Sequence, residues 1–228
     1  MKRRTSESGN ILLYILIAVA LLAALSYAVS RSSTGSTGQL NAERARLAAT
    51  EILEYATVLG NAASQLKLRG CKPTEISFEG ASGTYTNATS PTDNTCRIFH
   101  PSGAGVTVLA PPEASLVNTL TTWAFSADME LNQAGTTCAA SGCNDLIAYI
   151  PGVKDSVCDA VNDAAAIADP TTRPSQNDAS FTPFQGTYTY VDTIGDQAGT
   201  AKLSGKMAGC FESVADGVYV VYKVLLTR

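Results

Sequence analysis

Nineteen consecutive uncharged residues, 11–29, follow a start in which Lys2, Arg3 and Arg4 stand together. No other feature restricts the fold as strongly. As a helix rising 1.5 Å per residue, the run is about 28 Å long, close to the roughly 30 Å hydrocarbon core of a bilayer. Basic residues precede it and only Arg31 follows closely, which sets the N-terminus in the cytoplasm and the rest outside. Three readings compete. A cleaved secretory signal has a shorter apolar region and a small-x-small site, for which Ser26-Tyr27-Ala28 qualifies. A plain uncleaved anchor needs only the length and the flanking charge. In the third reading a short basic leader ends at Gly9, and the apolar helix stays on the chain.

All six cysteines, Cys71, Cys96, Cys138, Cys143, Cys158 and Cys210, come after the apolar run. An even number in the segment that would be exported reads as three disulfides in an oxidising compartment. Zinc is the rival, but only Cys138 and Cys143 are closely spaced and the sole histidine, His100, is distant. Six cysteines allow fifteen pairings. Proximity favours Cys71–Cys96, Cys138–Cys143 and Cys158–Cys210. The net charge of −4 and the absence of a basic, aromatic-rich stripe argue against nucleic acid as a partner.

Residues 31–38, rich in Ser, Thr and Gly, read as a flexible joint. From 39 to 69 the periodicity is helical, with Leu40, Leu47, Ile52, Tyr55, Leu59, Ala62 and Leu66 as an apolar stripe and Gly70 as the C-cap. Short strands are expected at 76–78, 96–100, 186–191 and 207–211. A helix is expected at 156–168, with Val157, Val161, Ala164, Ala165 and Ala168 along one face. The clearest strand signal is 218–226, after a turn at 215–217. It is apolar on both faces except at Lys223, so it should be central and covered on one side by the long helix.

Chemistry is hard to find. No nucleophile elbow, zinc-protease or phosphate-loop motif occurs. His100 has no partner recognisable from sequence and reads as structural or exposed. Asp192, Asp196 and Asp216 read as solvated turn residues, Asn87-Ala-Thr89 as a chance glycosylation match, and Tyr85, Tyr188, Tyr190, Tyr219 and Tyr222 as ordinary sheet packing. The expectation is therefore no enzyme, no cofactor and no metal.

A basic leader ending in Gly9, an apolar helix beginning at once and a second helical stretch behind it resemble the N-terminus of type IV pilins and pseudopilins. The resemblance implies a prepilin peptidase cutting between Gly9 and Asn10. It makes Ile11, Leu12, Leu13, Tyr14, Ile15 and Leu16 the start of an assembly helix in the inner membrane. Other pilin or pseudopilin subunits become the partners. It implies an α+β ladle: leader 1–9, membrane and assembly helix 10–30, joint 31–38, and a disulfide-bonded extracytoplasmic head 39–228 whose helix 39–69 packs on a C-terminal antiparallel sheet. Two positions depart from the pattern. Asn10 stands where an aromatic or methionine is frequent, and Tyr14 stands where most pilins carry a glutamate. The second departure implies a minor subunit of a pilus or secretion pseudopilus. The different-class alternative is an anchored or secreted binding or adhesion module that forms no filament.

Overall fold

The computed structural model describes residues 9–81, 83–136, 142–167, 173–177 and 181–228, with side chains in the first helix described at 13–27 and from 39 onward. The first helix, α1, runs Gly9–Leu68. Among the described residues seven strands and a second α-helix follow in chain order: β1 (Ala124–Ser126), β2 (Met129–Leu131), β3 (Leu146–Val153), α2 (Asp155–Ala164), β4 (Ser175–Gln176), β5 (Asp192–Ile194), β6 (Ala208–Ser213) and β7 (Val218–Leu226). The class is α+β. Two units divide the chain, Met1–Glu43 and Arg44–Arg228, and every strand belongs to the second.

Helix α1 continues without interruption through 31–38, where the small residues suggest a joint. Glycine is about 1 kcal/mol poorer than alanine in a helix interior. Propagation from helical turns on either side is nonetheless easier than starting a new nucleus. The helix ends where expected. Gly70 has φ of +103°, and the Cys71 and Gly70 amides donate to the Leu66 and Lys67 carbonyls at 3.1 Å each, the double bond of a left-handed glycine cap.

The buried face of α1 is built mostly from alanine. Ala45, Ala48, Ala49, Ile52, Ala56, Leu59, Ala62, Ala63 and Leu66 are buried, at the three- and four-residue steps of one helical face. Leu40 and Leu47, assigned to that stripe from sequence, lie exposed. Small side chains let backbones approach. A Cβ placed on Gly60 would lie 4.0 Å from the Leu225 Cα, so α1 meets β7 directly.

The main sheet has the order β1-β3-β7-β6-β4, which puts β7 at the centre. Its pairs with β3 (Tyr149 opposite Tyr222) and β6 (Phe211 opposite Val220) are antiparallel, as is β1 with β3. Alternation sorts β7 between two cores. Val221 and Leu225 join Ile52, Leu59 and Leu66 of α1. Val220, Tyr222 and Val224 join Met129, Leu131, Ile194 and Leu203 on the opposite face. Both faces are therefore covered, as a strand apolar on both sides requires.

Several expected elements take other forms. β4 pairs with β6, and β2 with β5, in parallel, so the pairing is only mostly antiparallel. The segments 76–78 and 96–100 share a single bridge, Ser77 with Arg97, and form no strand. The strand expected at 186–191 begins at Asp192 instead. Before it, the Thr189 and Val191 amides donate one at a time to the Ala127 and Asp128 carbonyls. Helix α2 stops at Ala164, which is exposed, and buries Cys158 and Ala160 beside Val157 and Val161. Ala168, expected on its apolar face, lies outside the described residues.

Candidate functional site: the apolar opening of the first helix

Helical backbone opens at Gly9, and every described side chain from 13 to 27 is exposed. Leu13, Ile15, Leu16, Ile17, Val19, Leu21, Leu22 and Leu25 are among them, with Leu22 and Leu25 at 70% and Tyr14 at 65%. Removing a Leu or Ile side chain from water is worth about 1.5–3 kcal/mol. Even partial burial of eight such side chains amounts to on the order of 10 kcal/mol, comparable to a domain's whole net stability. The exposure encircles the helix and is not confined to one stripe. A helix apolar all round needs cover on every side, which one partner on one face does not give. Among the described residues no helix is long and apolar enough to cross a membrane. The described apolar side chains at 13–27 extend about 22 Å. The side chains of Asn10, Ile11 and Leu12 lie outside the description.

Two expected disulfides are present, Cys71–Cys96 and Cys158–Cys210. Cys143 is oxidised, and Cys138, assigned as its partner, lies outside the described residues. The first bridge ties the end of α1 to the loop before Arg97. The second ties α2 to β6, where Asn162 doubles the link. The Cys210 amide donates to Asn162 Oδ1 at 2.8 Å, and Asn162 Nδ2 donates to the Cys210 carbonyl at 3.0 Å.

The weaker candidates from sequence are scattered. His100 Nδ1 accepts the Ser102 amide at 3.1 Å within a turn. Asp192 accepts side-chain amides from Gln176 and Gln197, while Asp216 accepts the Ser213 hydroxyl at 3.1 Å. Burial, and then the neighbouring Asp192, push the Asp196 carboxyl upward. Among the described residues no group of three His, Cys, Asp or Glu side chains is placed to hold a metal ion. Asn87 is a structural pin. Its amide is buried and donates to the Thr74 and Ile76 carbonyls at 2.8 and 2.7 Å, so the nitrogen a glycan needs is engaged. The tyrosines go separate ways. Tyr85 accepts the Phe125 amide, Tyr188 donates to Pro73, Tyr190 bonds Thr193, Tyr219 meets Arg173, and Tyr222 donates to Lys206. They form no common face.

Sequence reasoning missed Asp145, a fully buried carboxylate. Its Oδ2 accepts the Leu131 amide at 2.7 Å and its Oδ1 the Arg228 amide at 3.1 Å. One side chain thus latches β2, the lead-in to β3 and the residues following β7. Burial pushes its carboxyl up to about 6; the two amides pull the other way and Glu130 adds to the rise. An acid just before an apolar strand is an ordinary loop signal, and nothing in the pattern marks it as buried.

No protein-family model, no curated protein and no solved structure matches the chain.

Proposed function

We propose that this protein is a structural subunit, and a minor one, of a type IV pilus or a related secretion pseudopilus. Residues 10–30 anchor it in the inner membrane, and the head lies on the far side. The observation that supports this reading is the all-round exposure of apolar side chains at 13–27. Lipid covers such a helix first, and neighbouring helices cover it in a fibre. The glycine at position 9 and the continuous helix behind it agree with a leader removed on the cytoplasmic side. N-terminal sequencing and intact mass of the membrane-extracted protein test the reading. A mature chain starting at Asn10 is expected, and Gly9→Ala should leave the precursor. A start near residue 29 would mean an ordinary secretory signal, and retention of Met1 or Lys2 a plain anchor.

The minor role follows from Tyr14. A subunit drawn into a fibre brings its terminal ammonium against apolar neighbours, and burying that charge unpaired costs several kcal/mol. A phenol can accept a hydrogen bond but carries no charge near neutral pH. The unmodified protein should therefore cap or initiate filaments made of other subunits. Tyr14→Glu should raise its incorporation along the fibre. Immunogold counts on sheared filaments decide the matter, because dense labelling along the whole length by the unmodified chain contradicts a minor role.

A further inference from the structure

In the second unit four aromatic rings surround a space of about 140 Å³. Tyr55 comes from α1, Phe99 from the loop after Cys96, Trp123 from the residue before β1 and Phe125 from β1 itself. The half-exposed Val108 and Leu109 contribute to the wall, and no charged side chain lines it.

The walls are held in place. The Tyr55 hydroxyl donates to the Thr107 carbonyl at 2.9 Å and accepts the Leu109 amide at 3.2 Å, fixing the 107–109 segment to α1. The Tyr55 and Trp123 ring centres are 5.4 Å apart. Behind them Phe125 stacks on the fully buried Phe78 at 4.0 Å. A cavity with walls set by packing is already formed before a ligand arrives, which lowers the ordering cost of binding.

Its chemistry is selective by omission. The Tyr55 hydroxyl is committed to two backbone groups. The Trp123 indole nitrogen is buried without an acceptor, so it does not face the open space. The other hydroxyl-bearing residue of the lining is the exposed Thr122, so a sugar or an ion would lose its hydration there for few replacement bonds. An enclosed apolar cavity of about 150 Å³ accepts a benzene-sized guest; this pocket has a similar volume and opens to solvent beside Val108, Leu109 and Ala110.

We propose that this cavity is a binding site for a small, uncharged, apolar molecule the size of one aromatic ring. The site does not rest on the filament reading, and its failure would leave N-terminal processing untouched.

Trp123 is the chain's one tryptophan, so its emission reports on the cavity alone. The test is a titration of the full-length, oxidised, detergent-solubilised protein with iodobenzene, whose heavy atom quenches indole fluorescence. Saturable quenching with a Kd of about 0.1–1 mM is expected for a ligand of seven heavy atoms. Ala81→Leu places bulk in the lining and should weaken binding at least tenfold at an unchanged melting temperature. Ala110→Leu, at an exposed lining position, gives the same comparison should Ala81→Leu fail to fold. Detergent takes up iodobenzene equally for wild type and variants, so partition cancels between them. Linear quenching identical in all three proteins overturns the proposal. Saturable quenching that neither folded variant alters also overturns it.

Discussion

Cys210→Ala is expected to cost the 44–228 unit about 4 kcal/mol. Cys158 and Cys210 are 52 residues apart in sequence, and the chain-entropy relation assigns a loop of that length roughly this value. For a unit of this size the loss corresponds to a melting temperature lower by about 8–16 °C. The effect acts chiefly through the unfolded chain, which gains freedom once the loop opens. In the folded state Asn162 still joins α2 to the Cys210 backbone, so the helix should stay docked. Guanidinium unfolding of the oxidised wild type and the variant gives the comparison. Stabilities within 1 kcal/mol of each other would show that the bridge adds little.

The stability of the same unit should fall as pH rises from about 4 to about 6. Asp145 ionises near 3.8 in an unfolded chain, but burial holds its folded carboxyl up to about 6. Between those values the folded form keeps a proton that the unfolded form has released, so raising the pH favours unfolding. The contribution is fully present below about 4 and is lost by the time the pH passes 6. At about 1.4 kcal/mol per pKa unit, the loss approaches 3 kcal/mol. Asp145→Asn removes the titration and should flatten this part of the profile. It should also lower stability at pH 4, because an amide nitrogen replaces one acceptor facing the Leu131 or Arg228 N–H. Parallel pH profiles for the two proteins, from denaturant midpoints at pH 4, 5, 6 and 7, would rule out Asp145 as the source.

What the sequence reveals divides along physical lines. Strand β7 is legible to the residue, because a run of β-branched and aromatic side chains apolar on both faces leaves few other places in a fold. The helix end at Gly70 is legible because only glycine takes φ of +103° without cost. Of the described disulfides, Cys71–Cys96 follows from nearness along the chain, and Cys158–Cys210 is the pair left once Cys138 is assigned to the close-lying Cys143. The buried face of α1 is misread because large side chains draw attention away from alanine, which carries the close approach to β7. Strands β1 and β2 have three residues each, too few for a period of two to emerge. Their hydrogen bonds depend on partners as distant as Tyr149 and Ile194. Asp145 and the aromatic cavity are products of tertiary packing and leave no local pattern. The encircling apolar character of 13–27 is the reverse case, fully written in the sequence because it needs no packing to define it.

The two described bridges also bear on the order of events during maturation. Cys71 joins Cys96 and Cys158 joins Cys210, and in each case the partner is the next cysteine along the chain. Neither loop encloses the other, and they do not cross. For a chain that meets an oxidant from its N-terminal side, joining each newly arrived thiol to the last unpaired one gives both native bonds directly. The first loop can close before any residue of the main sheet has appeared. The second must wait for β6, the strand that β7 later joins to β3. Covalent closure of the sheet region can thus precede the arrival of its central strand, β7.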